Sequence, residues 1–230
     1  VFQRENFTWN LSFNATYLTN SIKKLNNVDD PDYVGLPVGG ISGGVGNTVQ
    51  TQQVGQSQFS FLVYEQVYDE SGNPLEGVYV DQNGDGIIND SDKRIFNNPN
   101  PDYLFGLSSY MTFHQNWDFS FTMRASLGNY VYNNVASANG VYAGVWELNS
   151  LRNAHASVLE TDFREQQFWS DYYVQDASFL RMDNVALGYS FSNLNEGNTR
   201  LRIYSTVQNV FVLTPYEGLD PEINGGIDNN

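Results

Sequence analysis

Cysteine is absent from the 230 residues, so neither a disulfide nor a thiolate metal site can hold this chain together. Without cross-links, a β protein of this size outside the cytoplasm needs a large apolar surface, a metal or a closed barrel. Basic residues are scarce: 11 Lys and Arg stand against 26 Asp and Glu, for a net charge of -15. Nucleic acid is held by clustered Lys and Arg, so it is argued against as a partner, and plain solubility accounts for the acidity. The only histidines are His114 and His155. They lack partners at zinc spacing, which gives a zinc centre or a Ser–His–Asp triad no support. No run of about 18 apolar residues exists, so no helix crosses a membrane, but a barrel would show none because its strands alternate. The chain starts with Val1 and shows no signal-peptide pattern, so it is expected to be an excerpt or a processed piece.

What is abundant is aromatic: 15 Tyr, 15 Phe and 4 Trp make up 15% of the chain at otherwise ordinary hydrophobicity. Tyr and Trp favour interfaces where one end of the ring is wet. The rings recur with period two, the strand signal. Phe7, Trp9, Leu11, Phe13, Ala15 and Tyr17 alternate with Thr and Asn or Ser. Tyr103, Phe105, Leu107, Met111 and Phe113 do the same, as do Trp117, Phe119, Phe121, Met123, Ala125 and Leu127. Two later strands carry Val185, Leu187, Tyr189 and Phe191, then Leu201, Ile203, Ser205 and Val207. Phe59–Tyr68 is a weaker candidate. Phe179–Asp183 loses the phase, because Arg181 and Asp183 fall on the apolar parity, and is expected above the membrane or in a loop.

A soluble sandwich alternates too. Strand length and loop asymmetry tilt the choice. The strands run roughly 10 to 14 residues, against ~5–6 in globular sheets and ~9–11 for a tilted membrane crossing. Tight turns are expected at Gln115-Asn116 and over Asn193–Asn198, whereas the connection near 130–177 is long. Short turns at one end and long loops at the other mark an outer-membrane barrel, with the long loops outside. Within the long connection, Trp146–Asp162 has loose helical spacing and is expected to hold a short surface helix. Gly35–Gly46 lacks a Lys-Ser/Thr ending, so it is no phosphate loop and reads as mobile.

The strongest motif is Asp81-Gln-Asn-Gly-Asp-Gly-Ile-Ile-Asn-Asp-Ser-Asp92, which has the oxygen spacing of an EF-hand calcium loop with Gly86 at position six. Asp81, Asn83 and Asp85 would offer side-chain oxygens and Ile87 its carbonyl. Asn89 would act directly or through water, and Asp92 would close the site. The role of the Ca2+ would be structural. The competing reading is an Asn/Gly turn whose side chains bond the local backbone. Asn6-Phe-Thr, Asn10-Leu-Ser and Asn14-Ala-Thr match the glycosylation triplet, but alternation alone generates it. Carboxylate pairs such as Glu160/Asp162 and Asp69/Glu70 follow from abundant acids, and Arg124 on a polar strand face is expected to pair with an acidic neighbour.

Several segments together resemble one family. They are Asp81–Asp92 followed by Asn97-Asn98-Pro99-Asn100-Pro101-Asp102-Tyr103, Asn116-Trp117-Asp118-Phe119-Ser120-Phe121, and Ser178-Phe179-Leu180-Arg181-Met182-Asp183-Asn184-Val185. Leu187-Gly188-Tyr189, Gln208-Asn209-Val210-Phe211 and Thr214-Pro215-Tyr216-Glu217-Gly218-Leu219-Asp220-Pro221-Glu222 complete the set. In this order they resemble the C-terminal half of SusC-like TonB-dependent transporters of Bacteroidetes. The resemblance implies an all-β, antiparallel transmembrane β-barrel portion with long extracellular loops, about six strands of a 22-stranded barrel. Residues 1–230 would be its C-terminal portion, with the plug, the TonB-contact segment and the final strand outside it. It implies no enzyme but a nutrient importer in the cell outer membrane, bounded by outer-membrane lipid and driven through TonB. A SusD-like lipoprotein would deliver a glycan or peptide substrate. Three other readings stay open: a calcium-stabilised extracellular β-sandwich adhesin or glycan-binding module, a secreted hydrolase using a carboxylate pair, and a barrel serving as scaffold in an outer-membrane assembly.

Overall fold

The computed structural model describes residues 1–26, 35–143, 145, 153–194 and 199–228, with backbone only at 193 and 194. They fall into two units. The first comprises Val1–Leu18, Pro101–Gly128 and Ser178–Thr214, and the second takes the remainder.

The first unit is a single six-stranded sheet. Its strands are β1 (Phe2–Arg4), β2 (Phe7–Tyr17), β3 (Tyr103–Phe113), β4 (Trp117–Leu127), β5 (Phe179–Leu194) and β6 (Thr199–Leu213). They lie in chain order and every neighbouring pair is antiparallel. The register puts like parity on like parity across the sheet. One row runs Phe7, Phe113, Trp117, Tyr189 and Ile203, and a middle row runs Leu11, Ser109, Phe121, Val185 and Val207. The apolar stripes read from single strands therefore merge into one face. That face is uncovered: Phe13 is 65% exposed, Leu213 61% and Ile203 59%. A sandwich would bury it against a second sheet. Rings gather at both ends of the face, with Phe7–Phe113 and Trp117–Tyr189 at one and Tyr17–Tyr103 at the other. An 11-residue strand rising ~3.3 Å per residue at ~45° spans roughly 25 Å, the height of a barrel's apolar band.

The β3–β4 turn is as tight as the sequence suggests. His114 and Gln115 take φ of 46° and 62°, and the Asn116 N–H donates to the Phe113 carbonyl at 3.2 Å. Three residues, His114, Gln115 and Asn116, lie between the paired Phe113 and Trp117, and the two left-handed ones match the twist of the strands. At the opposite end of the sheet the chain leaves β2 and β4 and re-enters at β3 and β5 through the long connections. The Asn193–Asn198 turn lies largely outside the described residues.

Phe179–Asp183 is a correction. It does lose the phase, but it is no loop: it is the start of β5. Thr122 pairs with Asn184 and Met123 with Met182, so Asp183 has no partner on β4 and forms a bulge. One extra residue flips the parity below it, returning Leu180 and Met182 to the apolar face and Arg181 to the polar one.

The second unit contains short sheets around an aromatic core. A four-stranded sheet orders Leu36–Gly40, Thr48–Gln52, Ser60–Val63 and Arg94–Ile95, and a three-stranded one orders Val174–Asp176, Tyr130–Asn133 and Ile227–Asp228. Val49, Phe61, Val63, Tyr132 and Tyr173 are fully buried between them. Two sequence expectations change here. Gly35–Gly46 is not simply a mobile loop, because Leu36–Gly40 pairs with Thr48–Gln52. Gly39 has a packing reason, because a Cβ there would run into the Gln50 amide oxygen. Phe59–Tyr68 breaks into Ser60–Val63 and Gln66–Tyr68, with Phe59 itself left-handed at φ 61°. Of the expected Trp146–Asp162 helix, residues 146–152 lie outside the described residues, and the observed α2 covers only Val158–Thr161. A short helix at Asn134–Asn139, α1, was not visible in the pattern.

Candidate functional site

Two places concentrate polar chemistry, one in each unit. On the sheet it is the face opposite the apolar one. Arg202 grips Asp118 through Nε at 3.0 Å and Nη2 at 2.6 Å, a two-pronged ion pair. The residue paired with Asp118 across the ladder is Gly188, and a Cβ there would lie 2.6 Å from both charged groups. Glycine thus lets the pair lie flat on the wall. The Arg202 guanidinium also sits 4.8 Å from the Tyr204 ring centre. Further along, Arg124 Nε meets both Asp183 oxygens at 3.0 and 3.1 Å, so the bulged residue supplies the acidic neighbour expected for Arg124. Asn14 lies over Gly106 in the same manner. Around these pairs the face is mostly Thr, Ser, Asn and Tyr, with Arg181 opposite Arg124 as a further cation.

In the second unit the Asp81–Asp92 loop folds on its own backbone. Asp81 accepts from Gly84 and Gly86 N–H, both at 2.7 Å, and those bonds hold its carboxyl below the usual range, the Gly86 bond most of all. Asn83 accepts from Asp85 N–H and Asp85 from Ile87 N–H. Asn89 caps the single turn Asp90–Asp92, and its side-chain amide donates to the Ile87 carbonyl at 3.1 Å. Asp92 is fully buried, with Oδ1 accepting from Gln82 N–H and Oδ2 from Asn89 N–H. The oxygens of the motif thus lie along one loop. Among the described residues, no three carboxylates or imidazoles converge on one point.

The loop is tied to the core by contacts that sequence reading missed. Lys93 pairs with Asp90 at 2.9 Å, and its ammonium sits 5.2 Å from the Tyr64 ring centre and 4.9 Å from that of Trp169. Burial, helped by Asp90, pushes the Tyr64 hydroxyl up to about 12. Arg94 Nη2 donates to Asp171 at 3.0 Å, and its Nε lies 3.0 Å from Glu65 but off line for a hydrogen bond. Desolvation nevertheless raises the Asp171 carboxyl, outweighing Arg94 and the Gln66 N–H that it accepts. The adjacent Lys93-Arg94 was the available signal, but its partners at 64, 65, 169 and 171 are set by the fold. The His155 ring bonds to Ser157 two residues on, and His114 lies in the hairpin turn.

Long antiparallel strands with an uncovered apolar face, rings at both of its ends and the long connections all at one end define a portion of a transmembrane β-barrel of the outer-membrane kind. Within that class the chain belongs to the SusC-like TonB-dependent receptors. It is 46% identical over 233 residues to TonB-dependent receptor SusC of Bacteroides thetaiotaomicron, a match covering 98% of this chain and 23% of that protein. It is 29% identical over 256 residues to TonB-dependent receptor P3 of Formosa agariphila, covering 98% and 24%. The chain thus spans about a quarter of the length of these relatives, which are receptors and not enzymes. Among solved structures it superposes on the RagAB peptide transporter with a TM-score of 0.69 at 20% identity, covering 99% of this chain and 26% of that one. The RagAB peptide importer in its 'closed-closed' state gives 0.70 at 19% identity, with the same coverage. These likenesses show the barrel fold. No family model matches.

Proposed function

We propose that this chain forms wall and outer loops of an outer-membrane importer that is energised through TonB and takes up glycans or peptides with a SusD-like surface lipoprotein. The observation that carries this is the continuous register. It turns six alternating strands into one apolar face and one polar face. Such a wall needs lipid on one side and water on the other. Kinship with SusC supports a nutrient role. The partner reading draws on that kinship and on the RagAB likeness. The apolar face, exposed along its length, speaks against the sandwich adhesin.

The Asp81–Asp92 loop enters this reading as a structural calcium site outside the cell. Its donors are hard oxygens, as calcium requires. A carboxylate has about four acceptor positions, so the backbone bonds to Asp81 and Asp85 leave room for a cation. Asp92 is the weakest member, since both of its oxygens already hold N–H groups. When bound, the ion would pin the loop by neutralising its acids.

The test uses the whole receptor in its native membrane. Uptake of glycans and of peptides is measured with and without the partner lipoprotein gene, alongside co-purification in detergent. Loss of uptake of one class and recovery of the lipoprotein support the reading. Normal growth on both classes in a receptor deletion contradicts it. For the loop, Asp81→Ala with Asp85→Ala should abolish a chelator-sensitive rise in melting temperature. A rise that persists in the double variant removes calcium from that loop.

A further inference from the structure

We infer that the second unit holds a binding cleft for a neutral, hydroxyl-rich saccharide segment, separate from the polar face of the wall. The proposal rests on reading the long connections as outer loops and narrows the substrate class to one.

The cleft has a volume of about 880 Å³ and is lined from residues of the second unit alone. That falls in the range of small-molecule sites, roughly 300–1,000 Å³. It spans a face of the four-stranded sheet. Pro37 lies opposite Thr51 and Leu62 opposite Ile95, and all four reach the cleft. The wall is completed by the start of the Asp90–Asp92 turn and by Lys93, Tyr64 and Trp169.

Three features of the lining select the ligand. The first is uncommitted polarity. Thr51 is only 2% exposed, yet its hydroxyl has no protein partner among the described residues and lines the cleft. The hydroxyl itself reaches the cleft's solvent, so a ligand hydroxyl can replace water there. Thr48, Gln53 and Ser91 likewise line the cleft with side chains that make no hydrogen bond among the described residues. The second is charge. Among the described residues, the charged side chains in the lining are Lys93 and Asp90, and they pair with each other at 2.9 Å. An anionic or cationic ligand would find no unpaired counter-charge, whereas a neutral one loses nothing. The third is a rigid aromatic border. The Trp169 indole N–H is spent on the Thr48 carbonyl at 3.1 Å, and Lys93 stacks against both Trp169 and Tyr64. The rings are therefore fixed before any ligand arrives and offer apolar surface to the C–H groups of a pyranose or furanose. Scattered hydroxyl and amide groups beside fixed rings suit a sugar, whose hydroxyls meet the polar groups and whose C–H faces meet the rings.

The experiment uses the full-length receptor purified in detergent. Calorimetry is run with neutral glucan, mannan, xylan and fructan oligosaccharides and, in parallel, with a mixture of short peptides. Thr51→Val removes the hydroxyl while keeping the shape, and Gln53→Ala removes the amide. The expected result is binding of at least one oligosaccharide, weakened about tenfold in each variant at unchanged melting temperature. Saccharide binding that neither variant alters overturns the cleft while leaving the importer reading intact. Peptide binding weakened by both variants overturns the ligand class. A receptor that binds no oligosaccharide overturns the proposal. If its deletion also leaves uptake of both classes untouched, the importer reading falls with it.

Discussion

Gly188 carries no side chain because the Asp118 carboxylate and the Arg202 guanidinium close over it. Any Cβ would part them. Arg202 is 44% exposed, so screening by water keeps the pair's contribution small. Arg202→Met should therefore lower receptor stability slightly in the native background and by nothing measurable once Gly188→Ala is present. Heat-induced unfolding followed by gel mobility reads both, and equal losses in the two backgrounds would show that Gly188 has another role. Asp81 makes a pH prediction. Its folded carboxyl is lowered by Gly86 and Gly84 N–H, so its contribution is present above the unfolded value near 3.8 and is lost as pH falls through the lowered folded value. In a calcium-free buffer, exchange of the Gly84 and Gly86 amides should quicken relative to neighbouring loop amides below about pH 4. Constant protection down to pH 2 would mean that these bonds do not depend on the charge. Asp81 and its loop spacing could be read in the sequence. The Gly188 clearance could not, because which residue faces Asp118 is a property of register.

Strands are where pattern and structure agree most closely. An alternation survives in sequence when each face meets one solvent along the whole strand, and β2, β3 and β4 meet that condition. β5 shows the limit. Its bulge at Asp183 inverts the parity of Phe179–Met182, so a correct rule applied to a regular ladder put Arg181 on the wrong face. The second unit follows no period because its core is assembled from distant segments, Phe61 with Tyr132 and Tyr173 for example. The strand account makes its own prediction. Val185 and Asn184 are neighbours near the middle of β5, on opposite faces. Val185→Lys should cost about 2–4 kcal/mol and reduce the folded receptor in the outer membrane, while Asn184→Lys should be close to neutral. The yield of heat-modifiable barrel separates the two. Equal tolerance would mean that the face bearing Val185 does not meet lipid.

At the scale of the whole molecule, six strands leave two open edges, and unpaired backbone in lipid costs several kcal/mol per group. The sheet is therefore stable in a membrane only when further strands close it, consistent with a chain spanning about a quarter of its relatives' length. The division of labour follows from topology. The wall supplies a polar surface with paired charges, and the long connections build an aromatic-cored unit with a cleft and an acidic loop. The alternation, the tight β3–β4 turn and the loop asymmetry made the barrel legible before any fold was known. The Lys93–Tyr64–Trp169 stack and the cleft beside it were not, because they join residues up to about a hundred positions apart. The most direct test exploits the absence of cysteine from this stretch. Single cysteines are placed at each position of Trp117–Leu127 in the full receptor and challenged with a lipid-confined and a water-soluble thiol reagent. The account predicts strict alternation, with odd positions labelled from lipid and even ones from water. Labelling of both parities by the water-soluble reagent, or of neither by the lipid-confined one, would contradict it.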